Sequence, residues 1–477
     1  MKNKFLHQQF SNILSLIIKS KIMKRLFVSL DKATIFRMLF CVILMSIGSI
    51  GCNKTDHIFL IGNTDASRYS SDVIDKWITM QIRLERDATG IPNVAFVRYY
   101  AYSGIAALEA LAPGKSLDKS FNMKWNGLTD LPQPENFKRY YWPASVNTAL
   151  ASMNRNIFTH ANAVDSAAID SLENALNTSF LTAENKEVIE RSNSFGKDVA
   201  AAVFSWSETD GYKNSSAAYT PPVGEGLWVP TPPAYAPAST PYWGNNRPIV
   251  AGSIDNTQPG PPIPYSEDPQ SPFYQMVKQV YDVSLTLTPD QTAWALFWRD
   301  IPGVTIGGHW VSILQQVLKQ TNSHLDKAAF AYALTGVCLN DASISCWQTK
   351  YKYNQVRPIT YIRAVMGYST WNSLLTTPAH PEYSSAHAVV SSAISEGFAE
   401  VFGDIGSFTD HTYDYEGFAP RTFSSFRAIG EDAGNSRLYA GIHYQPSIDT
   451  GLIQGRKVAA NIFRELTSGS TDGKSNW

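Results

Sequence analysis

Cysteine is scarce: the 477-residue chain has four, Cys41, Cys52, Cys338 and Cys346. Cys338 and Cys346 fall eight apart in a helical pattern, roughly 12 Å along a helix axis, too far for a disulfide. No disulfide framework or zinc site follows, and both sulfurs are expected to be buried. An excess of either charge is also missing. Forty basic residues face 41 acidic ones, a formal net charge of −1, so nothing draws the chain to nucleic acid or to an anionic surface. Charged residues make up 17%, below the usual quarter of a soluble domain, which suits much buried helix surface. Sustained period-two alternation is absent and so is any repeat of solenoid length, which argues against a sheet protein or a repeat array.

The apolar run from Met38 to Ile50 is too short to span a bilayer comfortably. Preceded by Lys24, Arg25, Lys32 and Arg37 and followed by Gly51-Cys52, it reads as the core of a secretory signal, with Met23 as an alternative start. A cysteine after small residues resembles a bacterial lipoprotein cleavage site, although Ser49 is not the usual large aliphatic. The expectation is a signal over residues 1–52, a lipid anchor at Cys52 as the only tie to a membrane, and a place in the bacterial cell envelope, periplasmic or at the surface. An uncleaved signal anchor is the alternative.

Beyond the leader the chain is rich in aromatics, at 12%. Helical periodicity marks residues 73–112, 144–181 and 184–207, with a small-residue face of Ala101, Ala106, Ala107 and Ala110 that would let helices approach closely. Residues 219–272 hold 14 of the 26 prolines. Helix and central strand are excluded there, and an ordered wrapping loop is expected, with a domain linker as the alternative. Trp228, Trp243 and Arg247 are candidates for a substrate entrance, with packing of the aromatics as the commoner outcome. Thr288-Pro289-Asp290-Gln291 is a capping box with proline at the first helical position. Further helices are expected near 309–321, over 325–357, and from His387 to Gly403. The fold class is therefore mainly α: helical bundles with a long proline-rich loop, packed around the site taken up next. The organisation is a helical half over 53–218, the loop over 219–272, a second half carrying the site over 273–467, and a tail over 468–477.

Three segments supply the chemistry. Lys350 and Arg357 are seven apart, two turns on one helix face. The stretch His380-Pro381-Glu382-Tyr383-Ser384-Ser385-Ala386-His387 ends where the next helix begins, and helix N-termini favour anions. Ser436-Arg437 and His443 follow, with Asp449 beyond. Among Trp347, Ala342 and Ile344 the cations are expected to be buried, and buried cations need an anion. Two guanidiniums, an ammonium and helix-terminal amides make an oxyanion site of phosphate shape. His7, His57, His160, His309, His324 and His411 take a structural reading.

Order and spacing resemble the superfamily of vanadium-dependent haloperoxidases and type 2 phosphatidic acid phosphatases, whose pattern is Lys-x6-Arg-Pro, Pro-Ser-Gly-His and Ser-Arg-x5-His-x3-Asp. Lys350, Arg357 and Pro358 match the first element. Ser385 and His387 match the second, with Ser384 in place of Pro and Ala386 in place of Gly. Ser436, Arg437 and His443 match the third, while Asp449 comes two residues late. The resemblance implies that His443 binds vanadate directly, as the metal ligand. Lys350, Arg357, Arg437, Ser385 and the Ala386 N–H would neutralise its oxygens, and phosphate could occupy the same site. His387 would serve as acid–base group. Lys350 would polarise hydrogen peroxide, halide would attack it, and hypohalous acid would leave for an unknown organic acceptor. His380 stands where bromide- and iodide-oxidising members have histidine, and as a second imidazole it would be protonatable near neutral pH. Asp300 is expected to fix an arginine, with Asp449 and Trp347 as further supporting residues. Two alternatives use the same residues: an acid phosphatase acting through a phosphohistidine, and a non-catalytic envelope lipoprotein that binds phosphate.

Overall fold

The computed structural model describes residues 64–114, 125–159, 161–300 and 304–467. The expected signal, Cys52, the tail and His7, His57 and His160 lie outside the described residues. The chain divides into two compact units, Met1–Phe59 and Leu60–Trp477, and everything that follows belongs to the second.

Thirteen helices carry this unit among the described residues. They are α1 Asp72–Asp87, α2 Ala95–Glu109, α3 Trp142–Ile157, α4 Ala163–Phe180, α5 Lys186–Ser207, α6 Pro272–Leu285, α7 Pro289–Phe297, α8 Ile306–Gln320, α9 Leu325–Tyr353, α10 Pro358–Ala364, α11 Ala386–Phe402, α12 Phe426–Tyr439 and α13 Gln445–Thr467. One antiparallel pair joins β1 Phe408–Asp410 to β2 Arg421–Phe423, with Phe408 opposite Phe423. No helix among the described residues is long and apolar enough to cross a membrane.

The axis of the fold is α9, whose 29 residues span roughly 44 Å. It is buried almost all round, packed by α2 on one side and by α11 and α13 on others. The α2–α9 approach depends on missing side chains. A Cβ on Gly336 would lie 2.3 Å from Ala101 Cα, and one on Gly104 would lie 2.8 Å from Ala333 Cα. Gly455 does the same where α13 meets α11, since a Cβ there would sit 2.0 Å from Val389 O. The remaining helices follow local signals: Thr288 and Gln291 close the capping box at α7, and Asn162, Asn185, Ser271, Thr305 and Ser425 cap α4, α5, α6, α8 and α12.

The proline-rich segment wraps over α9 and contains only one short 3-10 turn, Trp243–Asn245. Asp341, fully buried on α9, pins it: the carboxylate accepts Ile249 N at 2.8 Å, Val250 N at 3.1 Å and Ser253 Oγ at 2.7 Å. Trp228 N donates to Asn354 O at 2.6 Å and Val356 N to Gly226 O at 2.9 Å. Trp228 and Trp243 are fully buried, and Arg247 is bonded to Thr209 Oγ1 at 2.8 Å and Trp206 O at 2.9 Å. These three residues therefore hold the loop down and do not form an entrance.

Candidate active site

The helix expected over 325–357 stops at Tyr353. Asn354 turns left-handed, with φ 47° and ψ 38°, and its N–H returns to Lys350 O at 2.8 Å. The chain then reverses through Gln355 and Val356, and Arg357 is the N-cap of α10 with Pro358 at its first position. Lys350 and Arg357 thus do not share a helix face. Lys350 closes one helix and Arg357 opens the next.

Both cations are fully buried and both grip backbone. Lys350 Nζ donates to Pro381 O and Glu382 O, each at 2.9 Å, which leaves one ammonium hydrogen uncommitted. Arg357 Nε donates to His380 O at 2.8 Å, Nη1 to Ile442 O at 2.9 Å and Nη2 to His380 Nδ1 at 3.0 Å. Arg437, in the last turn of α12, donates from Nη1 to Trp298 O, while its buried Nε has no partner. Ser385, the N-cap of α11, has a fully buried hydroxyl that likewise has no partner.

The hydrogen bonds set each imidazole. His443 lies in the turn between α12 and α13, and its Nδ1 is 2.7 Å from Glu382 Oε1. Its Nε2 lies 3.3 Å from Arg357 Nη1, which can only donate. Nδ1 therefore carries the hydrogen and Nε2 presents a lone pair. Tyr444 N also donates to Glu382 Oε1, at 3.1 Å. His387 Nε2 faces two acceptors, Trp298 O at 3.1 Å and Asp300 Oδ1 at 3.4 Å, so that nitrogen holds the hydrogen and Nδ1 is the open atom. His380 Nδ1 lies 3.0 Å from Arg357 Nη2, which can only donate, and 3.3 Å from Pro381 O; the shorter contact puts the ring hydrogen on Nε2, and Trp347 packs beside the ring at 5.2 Å between centroids. The Trp347 indole N–H is bonded to Thr240 Oγ1 at 3.1 Å.

Asp300, Trp347, His380, Ala386, His387, Arg437 and His443 line a cavity of about 710 Å³. Val94, Val97, Pro232, Pro233, Leu374 and Leu375 add apolar surface to its wall. Lys350 and Arg357 stand behind His380 and His443 and hold the wall they form.

Burial shapes the electrostatics. It presses Lys350 down from its ordinary range and lowers Arg357 and Arg437 to about 10, so both guanidiniums remain charged at neutral pH. Burial raises Glu382, with Arg357 and Lys350 opposing. His443 and His380 are pushed well below the ordinary imidazole range by burial first and by the neighbouring cations second. His380 is thus a fixed neutral donor and does not titrate near neutral pH as expected. His387 is lowered by burial and Arg437, with Asp300 opposing. Burial acts to raise Asp300, but His387 and Arg437 outweigh it and the carboxyl is lowered.

Two expected partners change. Asp449, just past the first turn of α13, is exposed and accepts from Gln445 Nε2 at 2.8 Å, so it does not serve His443. The two extra residues in the spacing carry it round the helix, and Glu382 takes the place beside the imidazole. Asp300 contacts His387 and acts on the Arg437 guanidinium through its charge, without a hydrogen bond to it. Glu382 was visible only as a carboxylate between two site residues, and the shared acceptor Trp298 O has no sequence signal at all. His309 keeps its structural reading: Nε2 is 2.7 Å from Asp410 Oδ2, and the ring stacks on Trp298 at 4.3 Å. No cluster of metal-holding His, Cys, Asp or Glu occurs among the described residues, and Cys338 and Cys346 are buried and free.

A helical scaffold holds buried cations and three histidines at the wall of one cavity. A family model, the VCPO second helical-bundle domain, matches residues 330–470. A bacterial vanadium-dependent iodoperoxidase structure superposes with a TM-score of 0.75 at 31% identity, covering 84% of this chain and 98% of that one. Holo-type and apo-type structures of bacterial vanadium-dependent chloroperoxidase share the fold, at TM-scores of 0.60 and 0.61. Their identities are 16% and 15%, covering 78% and 84% of this chain and 92% and 99% of theirs. No match was found among curated proteins. The chain belongs to the vanadium-dependent haloperoxidases, and it is an enzyme of that family.

Proposed function

We propose that the site takes vanadate on His443 Nε2 and uses hydrogen peroxide to oxidise iodide or bromide. The observation that carries this reading is the His443 imidazole, fixed by Glu382 at Nδ1, whose unprotonated Nε2 accepts only a 3.3 Å contact from Arg357 Nη1 that vanadate would replace. The donor set suits an oxyanion. Ser385 Oγ and Arg437 Nε are buried without partners, and the two guanidiniums that stay charged, Arg357 and Arg437, outnumber the one lowered carboxylate, Asp300. An anion would satisfy both the orphaned donors and the charge imbalance.

When bound, vanadate supplies the Lewis acidity that activates peroxide. The protein contributes position and charge. Arg437, Ser385 Oγ and the Ala386 N–H at the head of α11 would donate to the vanadate oxygens, and Lys350 and Arg357 would add positive charge from behind the wall. His387 Nδ1 accepts a proton from peroxide and returns one to the departing oxygen, and Asp300 stabilises the imidazolium that forms. His380, neutral and locked by Arg357, offers Nε2–H to the cavity. Iodide or bromide is favoured because the 31%-identical relative is an iodoperoxidase and because His380 lines the cavity wall.

The test is halide oxidation by the vanadate-reconstituted protein with peroxide, comparing iodide, bromide and chloride. Vanadate-dependent oxidation of iodide or bromide that falls at least a hundredfold in His443→Ala supports the reading, whereas oxidation that persists in that variant or ignores vanadate sinks it. The carboxylate-oriented His443 also suits a phosphohistidine route. Phosphate-ester hydrolysis by the vanadate-free protein, with no halide oxidation on reconstitution, would replace the first reading with that one.

A further inference from the structure

Ser384 stands where the superfamily pattern has proline, and the structure gives its hydroxyl a dedicated partner. Ser384 Oγ donates to Gln454 Oε1 at 2.7 Å, and Gln454 Nε2 donates to Ser345 Oγ at 2.8 Å and Thr349 Oγ1 at 3.0 Å. Thr349 Oγ1 donates onward to Gln258 Oε1 at 2.5 Å, and Thr257 Oγ1 lies 2.8 Å from Ser345 Oγ. Ser384, Ser345 and Thr349 are fully buried and Gln454 is 1% exposed. With both amide hydrogens and the amide oxygen used, this side chain has one orientation open to it.

The network joins parts of the site that the sequence keeps far apart. Ser345 and Thr349 lie on α9 just ahead of Lys350, Gln454 lies on α13, and Ser384 immediately precedes Ser385 and the first turn of α11. Lys350 Nζ grips the same 381–385 segment from its other end, at Pro381 O and Glu382 O. The segment is thus held to α9 by the Lys350 ammonium on two backbone carbonyls, by Cys346 Sγ 3.6 Å from Ser384 O, and by the neutral network through Gln454. A proline would restrict this turn through its own ring, whereas serine leaves a buried hydroxyl that must be bonded.

We propose that Gln454 is a positioning residue for the oxyanion site. Through Ser384 it fixes Ser385 Oγ and the α11 amides relative to Lys350, in place of the proline. The inference rests on the oxyanion reading of the pocket but not on vanadium, so inorganic phosphate and orthovanadate serve separately as probes.

The experiment is calorimetric titration of each probe into the purified wild-type protein and into Gln454→Leu, Ser384→Ala, Ser384→Thr and the Ser384→Ala/Gln454→Leu double variant. Urea unfolding is followed alongside so that only folded protein is compared. The expected result is roughly tenfold weaker binding in either single removal, no further loss in the double variant, and near wild-type affinity in Ser384→Thr. Unchanged affinity in Gln454→Leu or Ser384→Ala, with only a lowered unfolding midpoint, would show a merely structural network and overturn the proposal. If Gln454→Leu does not fold, Ser384→Ala against Ser384→Thr decides the matter alone. Failure of the wild-type protein to bind either probe would overturn the oxyanion reading as well.

Discussion

The hydrogen on His443 Nδ1 settles what Nε2 can do, and the acceptor that holds it there is Glu382. A carboxylate at 2.7 Å raises the basicity of the far nitrogen and stops the ring from rotating. Glu382→Gln keeps the size of the side chain and removes the charge, and is expected to weaken vanadate affinity roughly 10- to 100-fold. Asp449→Ala, which loses only an exposed bond to Gln445, should stay within about twofold of wild type. Competitive vanadate binding measured on both variants tests the pair, and the reverse ranking would return His443 to Asp449. At this scale the burial of Lys350, Arg357 and Arg437 was legible, because cations set among apolar residues need partners. Partners were less legible. Glu382 and His443 are 61 positions apart, and no spacing rule connects them.

Among the elements, the break between α9 and α10 governs the site most directly. The apolar pattern runs on through Val356, so periodicity alone predicted one helix to Arg357. The left-handed turn at Asn354 overrides it, supported by Asn354 Nδ2 to Tyr351 O at 2.7 Å and by Tyr219 OH to Asn354 Oδ1 at 2.9 Å. Asparagine tolerates this conformation and a β-branched residue does not. Asn354→Val is expected to cost about 1–2 kcal/mol in urea unfolding and to weaken phosphate binding by misdirecting Arg357. Asn354→Gly should recover most of the stability. A valine variant with wild-type stability and affinity would show that the turn does not aim the guanidinium. The other helix boundaries were easier to read, since capping boxes, Asn caps and prolines act within a single turn of chain.

At the level of the whole molecule, the mainly helical fold followed from composition and period, and its closest crossings from small residues. Which helices would cross was not written in any one segment. Glu85 illustrates the point. It is buried where α1, α2 and the start of α8 meet, with Oε1 accepting Thr305 N at 2.5 Å and Oε2 bonded to Tyr100 OH. Burial raises its carboxyl to about 7, with Tyr100 and Thr305 opposing. The folded form therefore holds a proton that the unfolded chain releases near 4.5. Its contribution to stability is complete below that value and is lost as pH rises through about 7. Between pH 5 and 8 the unfolding free energy should fall more steeply in wild type than in Glu85→Gln. Equal slopes in urea titrations across that range would assign the pH dependence to other groups.

The proline-rich segment is fastened at Gly226 and Trp228, again at Ser239 by Ala379 O and the Tyr351 hydroxyl, and finally at Ile249 and Val250 by Asp341. Between the first two fastenings, residues 229–238 hang as a short span that contributes Thr231, Pro232, Pro233, Ala234 and Ala236 to the cavity wall. The anion donors come from α9 onward, and none belongs to this span. The enzyme is therefore built like a tool with an interchangeable jaw: the span can be rewritten to admit a different visitor while the grip on the oxyanion stays as it is.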